Sequence, residues 1–264
     1  MGDIHSTAII SSGAEIGAGT TVGPYSVVGP HVKLGRNNRI ASHVVIEGYT
    51  TIGDENQIYQ FASVGSNPQD LKFKGEASQL IIGNGNIIRE YATLQPGTSG
   101  GGMKTTIGDK NLFMVNSHIG HDSIVGSGNV FANSVAIAGH VTIGNNVNIG
   151  GLVGIHQFVH LGDVAFIAGG SMVTQDIPPY CLAEGNRAGL VGLNSIGLKR
   201  RGFSEDQISD IKRAYREIFM GAGVFKDRVL EAIAKYSEAS HVLVLLNAIK
   251  NSERGISPLR KDLE

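Results

Sequence analysis

Tryptophan is absent from this chain, and cysteine occurs once, at Cys181. A single thiol excludes an internal disulfide framework, and with it the small stapled folds of secreted domains. Aromatic residues make up only 6% of the sequence, so the interior has to be filled by aliphatic side chains. No apolar run is long enough to cross a bilayer as a helix, and Met1-Gly2-Asp3-Ile4-His5 opens without a basic-then-apolar signal pattern. A cytoplasmic protein without stable membrane insertion is expected. Charge of one sign is lacking too, because 22 basic and 23 acidic residues give a formal net charge of −1. Nothing global favours a nucleic-acid partner, and an acidic partner would need a local basic patch such as Lys199-Arg200-Arg201.

Glycine, by contrast, is abundant, with 37 residues, about twice its usual share. A branched or long aliphatic residue also recurs every six positions. The beat runs Ile4, Ile10, Ile16, Val22, Val28, Leu34, Ile40, Ile46, Ile52, Ile58, Val64, resumes at Ile82, Ile88 and Leu94, and continues from Ile107 and Phe113 to Val173. Six matches neither the 3.6 of an amphipathic helix nor the alternation of a half-buried strand; it is the hexapeptide period of a β-helix. Two positions before the aliphatic, small or β-branched residues such as Ala8, Ala14, Thr20 and Ser26 suit the inside of a narrow corner. Three six-residue sides close a coil, and strands about 4.8 Å apart then predict about nine coils in a prism roughly 40 Å long.

Two interruptions and one change of composition organise the chain. Residues 66–79, with Asp70 and Glu76 on the beat, read as an excursion from the prism; residues 95–106, across which the phase slips by one, read as a second. Loops on a rigid scaffold are where binding residues concentrate. After Val173 the beat stops at Asp176-Ile177-Pro178-Pro179-Tyr180. A β-helical domain over 1–183 is therefore expected, followed over 184–264 by a connector and an α-helical cap. Ser204 with Gln207 forms a capping-box signal ahead of Ile208, Ile211, Tyr215, Ile218 and Phe219. Further amphipathic stretches lie around Val229-Leu230-Ile233 and Val242 to Ile249.

The unbroken phase from Ile107 to Val173 acts as a ruler, since residues eighteen apart should stack on successive coils. His121 and His140 are nineteen apart, and His140 and His156 sixteen, so three histidines are expected at nearly one corner of consecutive coils. Gly139 falls one coil from His121, and His140 one coil from Asp122. Histidine titrates near neutrality, which suits a general base. Asp122 could orient His121, provided that a corner brings these sequence neighbours together. The Gly139 N–H could face an oxyanion forming beside the imidazole.

Several segments resemble, in order and over nearly the whole chain, the motifs of the acyl-carrier-protein:UDP-N-acetylglucosamine O-acyltransferases. They are Ser42-His43-Val44-Val45, Gln69-Asp70-Leu71-Lys72, Asn116-Ser117-His118-Ile119-Gly120-His121-Asp122, Ala138-Gly139-His140 and Ile155-His156-Gln157-Phe158. Further along come Pro178-Pro179-Tyr180, Glu184-Gly185-Asn186 and Gly197-Leu198-Lys199-Arg200-Arg201-Gly202-Phe203. The resemblance implies an all-β solenoid, specifically a left-handed parallel β-helix with a C-terminal α-helical cap. It also implies a homotrimer with clefts between prisms. The implied reaction moves an R-3-hydroxyacyl chain from acyl carrier protein to the 3-position of a UDP-sugar, the first step of lipid A synthesis. No cofactor, metal or covalent enzyme intermediate is required, since the donor carries its own phosphopantetheine.

By the same resemblance His121 is the base, Asp122 its support and Gly139 the oxyanion donor. Asp70, Lys72, His140 and His156 reach the nucleotide-sugar from a neighbouring subunit, and His118, Gln157, Asn194, Arg200 and Arg201 help hold it. The arginines suit a diphosphate because guanidinium forks match phosphate oxygens. Lys199, Arg187 or the cap would meet the acidic carrier protein. Gly169 matches the position that limits acyl length, and glycine there implies a longer chain of about fourteen carbons. Two departures, Ile196 in place of a carboxylate and Gln95-Pro96-Gly97-Thr98 in place of a basic or histidine-containing loop, leave a 3-hydroxyl or 3-amino acceptor open. Competing readings are a three-histidine zinc enzyme of the γ-carbonic anhydrase kind, a non-catalytic solenoid scaffold, and acyl transfer through Cys181.

Overall fold

The computed structural model describes residues 3–260, so Met1, Gly2 and positions 261–264 of the two expected domains lie outside it. Its dominant feature is a parallel β-helix of short strands, most of them two residues long, wound into three sheets. The first sheet has nine strands, from Ile9–Ile10 to Met172–Val173, and the second has eight, from Glu15–Ile16 to His160–Leu161. The third has ten, from Thr21–Val22 to Gly189–Leu193. Each strand as far as Met172–Val173 ends on the aliphatic of the hexapeptide beat, and these residues form the core: Val28, Ile46, Ile88, Phe113, Ile119, Phe131 and Ile137 are fully buried. Nine strands in the first sheet match the expected nine coils.

The eighteen-residue ruler holds wherever the beat is unbroken: Ile9 pairs with Val27, Ile119 with Ile137 and Ile143 with Leu161. Across the first excursion Ile52 pairs with Ile82, thirty residues on, an insertion of twelve. Across the second, Leu94 pairs with Ile119, twenty-five residues on, an insertion of seven. The chain leaves the prism at 65–78 and 95–103; Lys104–Ile107 is already a strand, so the second excursion is shorter than its sequence signature suggests. Both leave from the same edge, where the chain passes from the first sheet to the second.

Polar ladders stitch the coils together along the edge between the second and third sheets. Inside it, Asn38, Asn56, Asn86 and Asn111 are fully buried, and each Oδ1 accepts the backbone N–H of the asparagine one coil on. Buried amides tolerate this environment because each finds a partner above and below. Along the opposite boundary, between the third and first sheets, Tyr25, His43, Phe61 and Tyr91 form a ladder with successive ring centroids 5.1, 5.4 and 5.2 Å apart.

The prism does not end where its beat does. Cys181–Glu184 pairs in parallel with Phe166–Ile167, and Gly189–Leu193 pairs antiparallel with Cys181–Glu184, so the third sheet runs to Leu193 through residues expected to be a connector. Helices α1 (Ser195–Arg200), α2 (Glu205–Met220), α3 (Phe225–Lys235) and α4 (Ser240–Lys250) follow. The capping box at Ser204 and Gln207 is formed in both directions. Beyond α4 the chain returns to the prism, bridging Asp176 to Ile256 and Leu190 to Leu259.

Candidate functional site: a His–Asp dyad beneath two loops

The first-to-second-sheet edge carries the chemistry. Asp122, His140 and Phe158 occupy equivalent turn positions on three successive coils, with φ of 58°, 60° and 64°. This left-handed conformation is uncommon for residues other than glycine. It also resolves the difficulty that neighbours on a straight strand point to opposite faces: at this corner Asp122 turns back onto His121. The His121 Nδ1 lies 2.8 Å from Asp122 Oδ2, and the carboxylate is fully shielded from solvent.

Asp122 is held from the other side by the second excursion. The Thr98 N–H donates to Oδ1 at 2.9 Å, and its hydroxyl donates to Oδ2 at 2.6 Å. Gly101 packs so closely on the Asp122 carboxyl that any side chain there would collide with it. Thr98 supplies two donors to the Asp122 oxygens, and Oδ2 is placed to accept the Nδ1–H of His121 as a third. That leaves the lone pair on Nε2.

Gly139 sits directly against the imidazole. A Cβ built there would stand 2.5 Å from Cε1 and 2.7 Å from Nε2 of His121, so the ring occupies space that only glycine leaves free. The His140 N–H is committed to the His121 carbonyl at 2.9 Å, whereas the Gly139 N–H donates to no backbone carbonyl among the described residues. An oxyanion beside His121 would find that donor available.

The remaining histidines divide. His140 meets His121 edge-on, with centroids 5.0 Å apart, and stacks on Phe158 at 4.6 Å. Burial holds its proton affinity below the ordinary histidine value; Asp122 opposes this, the His121 ring adds to it, and Asp70 opposes it again. Asp70 of the first loop is therefore close enough to act electrostatically at this edge. His118, whose Nδ1 lies 2.7 Å from Thr93 Oγ1, is likewise shifted down, first by burial and then by His121. His156 corrects the expected three-histidine column. It stands on the next coil of the same edge but in register with Ala138, two residues out of step, and Phe158 takes its place in the stack. Its Nδ1 accepts from Arg254 Nη2 at 2.8 Å.

Other expected site residues lie apart. Asn194, Arg200 and Arg201 line a cavity of about 360 Å³ against the third sheet, on the far side of the prism from the His–Asp edge. Both ends of the Asn194 side chain are already engaged, Oδ1 by Gly197 N–H as the cap of α1 and Nδ2 by the Val164 carbonyl. Lys72 is exposed on the first loop beside the fully exposed Leu71 tip, and Gln157 is exposed next to His156. Gly169 lies on the third-to-first-sheet edge. Arg187 and Lys199 are exposed, and Lys199 pairs with Glu205 at 2.7 Å.

Sequence reasoning missed Thr98, Gly101 and Arg254. The one-residue phase slip at 95–106 was the only signal for the first two, and Arg254 gave none. The donor atoms of His121, Asp122 and His140 lie within 4.8 Å of one another, close enough for a metal ion. The chemistry of the set fits poorly, because both Asp122 oxygens and His121 Nδ1 are committed. Two imidazole nitrogens remain, fewer than the three protein ligands of a catalytic zinc. Cys181 is fully buried, and burial raises its thiol far above the ordinary value, which disfavours the thiolate a nucleophile needs.

A β-helix of hexapeptide repeats, left-handed as a class, with a glycine-backed His–Asp dyad under two loops and a helical cap, defines a hexapeptide-repeat transferase. The bacterial transferase hexapeptide profile matches residues 4–48, and the profile of the second domain of UDP-N-acetylglucosamine O-acyltransferase matches 176–257. Among relatives, the acyl-[acyl-carrier-protein]–UDP-N-acetylglucosamine O-acyltransferase of a Sulfurovum species is 49% identical over 99% of this chain and 100% of its own. That of Aliarcobacter butzleri is 47% identical over the same shares. The solved structure of LpxA from Acinetobacter baumannii superposes with a TM-score of 0.93 at 43% identity, covering 97% of this chain and 99% of that one. The chain belongs to the acyl-[acyl-carrier-protein]–UDP-N-acetylglucosamine O-acyltransferase family.

Proposed function

We propose that this protein transfers an R-3-hydroxyacyl group from acyl carrier protein to the 3-hydroxyl of UDP-N-acetylglucosamine in the cytoplasm, the first acylation of lipid A synthesis, with His121 as general base. The observation that carries the reading is the buried dyad, His121 Nδ1 to Asp122 Oδ2 at 2.8 Å, with Gly139 against the ring. Nε2 takes the sugar hydroxyl proton as the oxygen attacks the thioester carbonyl. The Gly139 N–H donates to the tetrahedral oxyanion, and its collapse breaks the C–S bond. The departing pantetheine sulfur takes the proton back from Nε2. The thioester supplies the leaving group, so neither a metal nor an acyl-enzyme is needed, and the phosphopantetheine arrives with the donor. A positioned base contributes about 10²–10⁴-fold.

One protomer holds only part of this site. Arg200 and Arg201 sit across the prism from His121, and the Leu71 loop tip is bare. A homotrimer that sets one prism's exposed first-loop tip and basic residues beside the next prism's dyad supplies the diphosphate contacts, with His118, His140, His156, Gln157, Asp70 and Lys72 around the sugar nucleotide and Asn194 capping the helix that presents Arg200 and Arg201. The test is incubation of purified protein with 3-hydroxyacyl carriers of several lengths and with UDP-N-acetylglucosamine or its 3-amino analogue. A base-labile product of the expected mass is the predicted ester; a base-stable product would be an amide. His121→Ala should lose at least about a hundredfold in turnover without loss of thermal stability, and near-normal turnover would refute the assignment.

A further inference from the structure

We propose that Thr98 is a positioning residue for the reaction, clamping the Asp122 carboxylate so that it presents one oxygen to His121; this rests on the reading of His121 as base. Thr98 holds both oxygens at once, its N–H on Oδ1 at 2.9 Å and its hydroxyl on Oδ2 at 2.6 Å. Two bonds to two oxygens fix the carboxylate plane as one bond does not. The oxygen gripped by the hydroxyl is also the one that accepts from His121 Nδ1. Thr98 is itself 2% exposed, and its carbonyl accepts from Gly101 N–H at 3.1 Å and Met103 N–H at 2.9 Å, so the clamp is part of a closed turn.

That turn is anchored to the first loop. Glu76 Oε1 accepts the Ser99 N–H at 2.8 Å, and the Ser99 and Lys74 amides hold the Glu76 carboxyl down at about 2. The loop that carries Asp70 and the loop that carries Thr98 are therefore joined through Glu76. Without the hydroxyl, Asp122 can rotate about Cβ–Cγ, and Nδ1–H loses its fixed acceptor. The tautomer that keeps the lone pair on Nε2 is then no longer enforced, and the imidazolium formed during attack is less well stabilised.

The test compares Thr98→Val, which keeps shape and backbone N–H, with Thr98→Ser, which keeps the hydroxyl. In the valine variant kcat should fall about tenfold, the loss expected for one hydrogen bond to a charged group, while KM for the UDP-sugar stays unchanged. The acidic limb of its kcat/KM profile should move to lower pH, because a less supported base is a weaker one. The serine variant should restore rate and profile, and crystal structures should show the Asp122 carboxylate turned in the valine protein and in place in the serine protein. Wild-type kcat in Thr98→Val, or equal impairment of both variants with Asp122 undisturbed, overturns the proposal. Should His121→Ala prove fully active, the base reading fails by itself, and the orientation of Asp122 in Thr98→Val still decides whether Thr98 is the clamp.

Discussion

Replacing Gly139 with alanine should separate the position of His121 from every other property of the site. The added Cβ would stand 2.5 Å from Cε1, 2.7 Å from Nε2 and 3.0 Å from Nδ1. Ordinary carbon contacts lie at about 3.5–4.0 Å, so the ring has to retreat by about 1 Å. It cannot do so freely, since Nδ1 is tethered to Asp122 and the His140 ring meets it edge-on at 5.0 Å. Alanine keeps the backbone N–H, and Gly139 is outside the left-handed region, so neither the oxyanion donor nor the backbone conformation is lost. A misplacement of about 1 Å at a reacting group costs about 10²-fold, equivalent to about 2.7 kcal/mol of barrier. Thiol release from the acyl carrier, followed at saturating UDP-sugar, measures this as kcat, and a thermal melt checks the fold. An alanine variant that turns over within about threefold of the parent would show that this ring need not hold its place, since the loss should appear in kcat if the contact matters in the transition state.

Three other outcomes follow from the same geometry. Asn86→Ala should destabilise the prism by about 2–3 kcal/mol, because it orphans the Asn111 N–H, 2.9 Å from Asn86 Oδ1, and leaves the Asn111 side-chain amide with only one of its two acceptors, the Gly126 carbonyl; an unchanged melting temperature would mean the ladder is dispensable. Gly169→Met should shift donor preference toward shorter acyl chains in competition assays, and retained preference for long chains would remove Gly169 from the groove. Burial lowers the proton affinity of His118 and His140 from the ordinary 6.5. The unfolded chain therefore binds more protons on these residues as the pH falls through that value. Their contribution to stability is present above about 6.5 and lost below it. The melting temperature should drop between pH 7.5 and 5.5, and less steeply in His118→Gln; parallel curves for the two proteins would contradict the assignment.

The scaffold was legible because its constraint repeats. One interior position per six residues must be aliphatic, and Ile119 stacking on Ile137 is the same event as Ile10 stacking on Val28 eighteen residues on. Counting by eighteen also placed Gly139 beside His121 and His140 over Asp122. It failed for His156 because a nearest multiple is insufficient at a corner. Two residues along a six-residue side change both the position and the direction of a side chain, so Phe158 stacks and His156 turns to Arg254. Thr98 was illegible for a different reason. It lies in an insertion that obeys no period, and its partner is twenty-four residues away across a loop whose path the repeat does not specify. The run of the third sheet through Leu193 was hidden likewise, since Gly189–Leu193 turns antiparallel and abandons the hexapeptide spacing.

Both insertions leave from the edge that bears the dyad, and this placement separates stability from chemistry. The core is built from inward-facing residues that every coil repeats, so no coil needs a special sequence to fold. Twelve inserted residues preserve the hexapeptide phase and seven break it by one, yet the pairing of Ile52 with Ile82 and of Leu94 with Ile119 shows that both loops return the chain to the same register. Closing such loops costs little more as they lengthen. The site is consequently assembled from what the repeat leaves unconstrained: the side chains of His121, Asp122 and His140 at corners whose left-handed turn the other coils share, the bare Cα of Gly139 against the ring, and a threonine delivered by a loop. A bare hexapeptide prism would keep its coils without any of these, and the buried Thr98–Asp122–His121 chain is the feature that such a scaffold has no reason to contain.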